Sequence, residues 1–401
     1  MPMSASIHVP ASAGSLTLAS YVSFIPIGIA TVLLGPMLPV LSERWSMNYS
    51  QAGALFPVQY VSSTAAVALS GMLVSRYGFR FPIKAGLVLM AAGLALLMTG
   101  PKQLALICIA AYGAGLGLAV PAGNLLVAEL NPDRRSATLS WLNFYWSAGA
   151  VTCPFLVAYA AKVHQVPLLL ACVSGFSLLV ALVFAVLPAS IFELAKTPGE
   201  VKTAVPAIQR KLSTFFILAA LFFLYVGTEN AFGGWVASFA KSLGNLTPVM
   251  ALLTPSFFYA ALTFGRCLAP ILLRNVDEIR LVQIGLVMAC FGTAGLMFAR
   301  GLAGVAVSAC AAGLGLSHVY PITIAVLSRE FGPSSSAIAS IMFVLSNVGG
   351  GLFPWIAGVL SSRYGTLRAG LFVPLLGYAA MSMLYFRDWE PSELKEPQPR
   401  P

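Results

Sequence analysis

Charge is what this 401-residue chain has least of. Asp, Glu, Lys and Arg make up 9% of it, against roughly 25% in a soluble domain. Hydrophobic residues make up 58%, and the mean hydropathy is +0.86. That balance excludes a soluble globular protein and marks an integral membrane protein. Histidine is nearly as scarce: His8, His164 and His318 are too scattered for a zinc cluster. H-E-x-x-H and G-x-S-x-G are absent, and no metal-ligand or nucleophile–base constellation appears. No metal, cofactor or enzymatic activity is therefore expected. The six cysteines, at 108, 153, 172, 267, 290 and 310, fall in apolar segments without a C-x-x-C. They read as packing thiols rather than a disulfide frame. The net charge of +10 is not gathered into a basic run or an aromatic-basic patch, so it does not point to nucleic acid. Lys and Arg are missing from the first fifteen residues, unlike the basic start of a cleaved signal peptide. The first span is expected to act as an uncleaved signal.

What the chain has in abundance is long apolar runs. A membrane crossing takes about 20 residues at 1.5 Å rise each. Windows of that length give twelve spans, near 18–41, 51–75, 83–99, 104–129, 137–162, 166–190, 214–241, 249–273, 281–299, 302–327, 337–361 and 369–386. The longest connection divides them six plus six. The expected units are an N-terminal half (1–190), a linker (191–213), a C-terminal half (214–386) and a Pro-rich, charged tail (387–401) expected to be disordered. Fifteen Lys and Arg fall on the side of the two termini and seven on the other, which puts both termini in the cytoplasm. Asn48-Tyr-Ser50 and Asn245-Leu-Thr247 match glycosylation acceptors but sit close to the membrane, and the compact loops suggest a bacterial inner membrane.

The halves repeat at an offset of 200 residues. Gly113, Gly115 and Pro121 match Gly313, Gly315 and Pro321; Ser136-Ala137 match Ser336-Ala337; Gly149 and Pro154 match Gly349 and Pro354. Two six-helix halves related by an axis along the membrane normal are a transporter architecture. The glycine-rich runs sit within spans and lack a following Lys-Ser/Thr, so they are contact surfaces rather than phosphate loops.

Two charged residues lie inside spans. Glu229, in Tyr225–Trp235 (Y-V-G-T-E-N-A-F-G-G-W), is the only acid near the middle of an apolar run. An ionised carboxylate there costs several kcal/mol unless it faces water or a partner, or carries a proton. Arg266, in the eighth span, lies about 7 Å to the cytoplasmic side of that span's middle by residue count, whereas Glu229 lies slightly outward of its own. A direct ion pair and a relay through His318, at intermediate depth, are both consistent with that offset. For each group the alternative is an ordinary hydrogen bond to a neighbouring helix.

Gly71-Met-Leu-Val-Ser75-Arg76-Tyr-Gly78-Phe-Arg80, after the second span, resembles the signature loop of the major facilitator superfamily. Glu129-Leu-Asn-Pro132-Asp-Arg134-Arg135, after the fourth, resembles its acidic-Pro-Arg partner motif. The resemblance implies an all-α membrane fold of twelve helices in two halves, with these two motifs gating the halves. Ser75 stands where that loop usually carries an acid, which implies a less favoured outward-open state. Within the superfamily, Glu229–Trp235, Gly265-Arg266, Gly313–Pro321 and Ser346–Trp355 look most like the fucose–galactose–gluconate proton symporters and related sugar permeases. The acids that branch implies in helices 1 and 4 are missing here.

The fold so implied lines its cavity with helices 1, 4, 7 and 10. Sugar sites use amides and hydroxyls for the hydroxyl groups and aromatic faces for the ring. Asn124, Asn143, Trp146, Glu229, Asn230, Trp235, His318 and Asn347 are the candidate substrate residues; Glu229, Arg266 and His318 are the candidates for proton coupling. The expected function is symport of a small polar solute, a sugar by the resemblance, by a monomer in the bilayer, with a proton (or sodium) as coupling ion. Efflux of drugs or metabolites on the same fold is the alternative.

Overall fold

The computed structural model describes residues 11–131, 134–188, 192 and 205–386. The expected tail lies outside the described residues, as does most of the linker. Among the described residues the chain is all helix and loop, and its helices make twelve spans. Spans 1 to 6 are Ala11–Val32 with Leu34–Arg44, Tyr49–Gly53 with Leu55–Tyr77, Arg80–Leu96, Lys102–Leu130, Arg135–Lys162 and Val166–Val186. Spans 7 to 12 are Leu212–Ser242, Pro248–Leu272, Glu278–Phe298, Leu302–Leu316 with Val319–Phe331, Ser335–Tyr364 and Leu367–Tyr385. Eleven are long and apolar enough to cross a bilayer unaided; span 3, at 17 residues, falls just short and crosses by packing against span 4. The described chain begins and ends on one face, called here the terminal face; the other is the far face.

Local chemistry sets where spans start and stop. Pro248 opens span 8 behind Thr247, whose hydroxyl accepts from the Met250 N–H at 3.3 Å. Asp277 caps span 9 through the N–H groups of Ile279 and Arg280. Such caps satisfy donors that the first helical turn leaves open. Gly365, at φ +67°, makes the reversal between spans 11 and 12.

The 200-residue repeat is a packing repeat. A Cβ on Gly149 would run into the backbone of Ile25 on span 1, and one on Gly349 into Phe223 on span 7. Gly113 presses on Gln59 of span 2 and Gly313 on Phe258 of span 8; Gly115 meets Gly86 of span 3 and Gly315 meets Gly285 of span 9. Each matched glycine thus seats the corresponding pair of helices, since only a residue without Cβ lets the backbones approach that closely.

One difference between the halves falls at the repeated proline. Pro121 sits inside a continuous span 4, whereas span 10 breaks at Ser317-His318, four and three residues before Pro321. Proline removes the same hydrogen bond in both. In span 10 the Ser317 hydroxyl also donates to the Leu314 carbonyl at 2.6 Å, competing for the backbone, where Gly117 has no side chain to do so. The cysteines depart in part from the expected packing role: Cys108 and Cys153 are buried, but Cys172 and Cys267 are exposed.

Candidate functional site

The two halves are clasped at the far face. Gly35 of span 1 packs on Gly233 and Gly234 of span 7, and Gly53 of span 2 packs on Gly358 and Pro354 of span 11. Ser50 N–H donates to Ser362 Oγ at 2.8 Å, and Glu43 pairs with Lys241. Deeper in, Tyr60 Oη donates to Asn230 Oδ1 at 2.7 Å and Ser256 Oγ to the Val151 carbonyl at 3.3 Å. Each of these links lies on this side of the middle. The candidate gating residues of the terminal face make no such link. Gly71, Ser75 and Arg76 are exposed, and the Ser75 hydroxyl bonds only its own helix at Met72 O. Gly78, at φ +70°, turns the chain, and Arg80 caps span 6 at the carbonyls of Phe184 and Ala185. Glu129 and Arg134 form no ion pair among the described residues; Pro132 and Asp133 of their motif lie outside them.

At mid-depth, span 7 turns two ionisable side chains onto one face. Tyr225 and Glu229 are four residues apart, hence one above the other on the helix. The Tyr225 hydroxyl accepts from Arg266 Nη2 at 3.1 Å, and the Glu229 carboxylate stands one turn further along the same face. Glu229 and Arg266 make no direct ion pair. The offset in depth between them is spanned by the tyrosine, one turn toward the terminal face, whose single hydroxyl can donate to one partner and accept from the other. Tyr320 of span 10 packs against the Tyr225 ring, centroids 5.3 Å apart. Glu229 and Arg266 are both half-buried, so water reaches them.

The relay through His318 is not what the structure contains. His318 occupies the break in span 10, 6% exposed, with Nδ1 2.9 Å from Ser317 Oγ and no partner on Nε2. No described hydrogen bond or ion pair joins it to Glu229 or Arg266. Trp235 is also placed differently: its indole N–H donates to the Pro354 carbonyl at 2.8 Å and its ring wedges between Gly53 and Gly358 in the far-face clasp. It is packing there, 3% exposed, because the crossing of spans 2 and 11 needs a flat filler beside two glycines.

The amides fall into two groups. Asn124 and Asn143 each give an N–H to a carbonyl one turn back, both at 2.9 Å, leaving the amide oxygen without a described partner. Asn143 is exposed, and Asn347, half-buried, makes no described hydrogen bond. Asn230 instead has both ends engaged, by Val226 O at 2.8 Å and by Tyr60. Trp146 reaches Thr31 Oγ1 at 3.4 Å from its indole N–H. Sequence reasoning missed Tyr60, which meets Asn230 beside Glu229, and Tyr259, whose hydroxyl lies against Gly233 one turn further along span 7. Tyr259 directly follows Phe257 and Phe258, and Tyr60 stands four residues after Phe56, so nothing local sets either apart from core aromatics.

Comparison with known proteins gives relatives along nearly the whole chain. A mouse protein named sodium-dependent glucose transporter 1A is 22% identical over 403 residues, covering 91% of this chain and 94% of the relative. A glucose/galactose transporter of Brucella abortus is 26% identical over 377 residues, covering 88% and 89%. Among solved structures, a D-xylose-proton symporter superposes with TM-score 0.75 at 16% identity, covering 93% of this chain and 97% of its own. The E. coli fucose:proton symporter gives 0.64 at 19%, covering 93% and 98%. These likenesses establish the fold. The sequence pattern of the Major Facilitator Superfamily runs through residues 20–354, across both halves and the site between them, and the chain belongs to that superfamily.

Proposed function

We propose that this protein carries a sugar across a membrane by alternating access and that Glu229 carries the coupling proton. The observation that bears most weight is the Glu229–Tyr225–Arg266 chain at the centre of the molecule, water-accessible and without a direct ion pair. The names of the relatives, transporters of glucose and galactose, support the sugar. In this reading residues 1–190 and 214–386 are the rocking halves, joined by 191–213, and the terminal face is cytoplasmic by the Lys/Arg asymmetry. The clasped far face makes this the inward-facing state.

The chemistry follows from one hydroxyl. With Glu229 ionised, Tyr225 donates to the carboxylate while Arg266 donates to Tyr225, so the two charges neutralise each other through the phenol. A proton on Glu229 ends that balance and leaves Arg266 uncompensated, which changes what the cavity holds well. Asn124, Asn143, Asn347 and Trp146 supply the amides and the aromatic face a sugar needs. Coupling requires that proton and sugar favour each other's binding.

Glu229→Gln keeps the shape and hydrogen bonding of the protonated acid but cannot titrate. In proteoliposomes it is expected to exchange radiolabelled D-galactose or D-glucose at parental rates, yet to lose uphill accumulation under a pH gradient. Accumulation equal to the parent's would remove Glu229 from the coupling role. If a sodium gradient drives the parent and a pH gradient does not, sodium is the coupling ion.

A further inference from the structure

Tyr60 comes from the N-terminal half and ends inside the C-terminal one. Its ring lies over the glycines of span 11: a Cβ on Gly350 would stand 2.6 Å from Tyr60 Cε1, and one on Gly351 3.1 Å from Tyr60 Cβ. Its hydroxyl donates to Asn230 Oδ1 at 2.7 Å. Asn230 adjoins Glu229 in sequence, and its N–H is already used on Val226 O. The seat therefore exists only while spans 2 and 11 are together, that is, while the far face is shut. Asn230 is also unlike Asn124 and Asn143, whose amide oxygens are open.

We propose that Tyr60 is an internal competitor for a substrate hydroxyl at Asn230, and so sets a difference in affinity between the two faces. The competing hydroxyl is that of a sugar only on the reading given above; the rest stands on the Tyr60 seat. With the far face shut, the phenol occupies the Asn230 oxygen, and a ligand entering from the terminal face loses that acceptor. With the far face open, spans 2 and 11 part, Tyr60 leaves its seat, and the same oxygen is free to accept from a ligand hydroxyl. Binding from the far side gains one hydrogen bond that binding from the terminal side does not, which favours release at the terminal face. One net hydrogen bond corresponds to about a 3- to 10-fold difference in affinity.

Tyr60→Phe keeps the ring in its seat and removes the competitor. Uptake of radiolabelled D-galactose and D-glucose is measured in right-side-out and inverted membrane vesicles. The ratio of the terminal-side to the far-side half-saturation constant is expected to fall by about 3- to 10-fold. A second readout needs no ligand. Ala52 is buried in the far-face clasp, and Ala52→Cys, in a background without the six native cysteines, reports its opening to an impermeant thiol reagent. Tyr60→Phe should raise that labelling rate, and Gly350→Ala, which pushes on the ring itself, should raise it too. An unchanged ratio in a parent that takes up either sugar overturns the competitor. If the parent takes up neither sugar, the sugar reading fails and the labelling arm alone decides: a raised rate upholds the Tyr60 seat as specific to the shut state, and an unchanged rate overturns it.

Discussion

At the scale of single residues, the centre of this protein is a phenol that bonds a guanidinium and stands one helical turn from a carboxylate. Tyr225 is the only described hydrogen-bond partner of Arg266, so Tyr225→Phe and Arg266→Ala should each disconnect the same unit. A double-mutant cycle on initial uptake rates is expected to show a coupling of about 1 kcal/mol or more, as for residues of one network; additive losses would mean that the three groups do not act together. Part of this was legible beforehand. Tyr225 and Glu229 share a face by helical spacing alone, and Glu229 stood out because no other acid lies in the middle of an apolar run. The choice of Tyr225 over His318 as the bridge was not legible. It depends on how spans 7, 8 and 10 are rotated about their own axes, and His318 is turned toward Ser317 by a break that sequence pattern does not reveal.

At the scale of the helices, glycines decide which faces meet. Gly149 and Gly349 each admit a neighbouring backbone where any Cβ would collide. Gly149→Leu and Gly349→Leu should each cost about 1–3 kcal/mol, the range for overpacking a tight contact, read as lowered thermal stability of the purified protein in detergent. Gly175, on span 6, has nothing within 4 Å of a built Cβ, and Gly175→Leu is the control. If all three variants melt alike, the repeat is not a packing repeat. The existence of the spans needed only hydropathy, because the bilayer selects for apolar length. Their breaks needed more: Pro121 and Pro321 are equivalent in sequence, but only the second, with the Ser317 hydroxyl one turn earlier, interrupts its helix.

At the scale of the whole molecule, two accessibility experiments apply. Single cysteines at Ser46 and Gly244, both exposed on the far face, should react with an impermeant reagent added outside cells, and ones at Asn275 and Ser334 should not. The opposite pattern would invert the molecule in the membrane. Ser75→Asp places an acid on the terminal face where the other half can present a helix N-terminus, an attraction of about 0.3–1 kcal/mol. It should favour closing that face and so raise far-side labelling of Ala52→Cys; an unchanged rate would show that this loop does not set the balance of states. By itself the sequence determined the membrane class, the twelve spans, the twofold repeat and the position of the one acid in the middle of a span, because each is written in local composition and spacing. Tertiary structure alone decided which face is shut, that Trp235 seals it, that Tyr60 rests on Asn230 and that Arg266 bonds Tyr225. Those are contacts between helices far apart in the chain, and the close backbone crossings that fix them leave no trace in the periodicity of either partner.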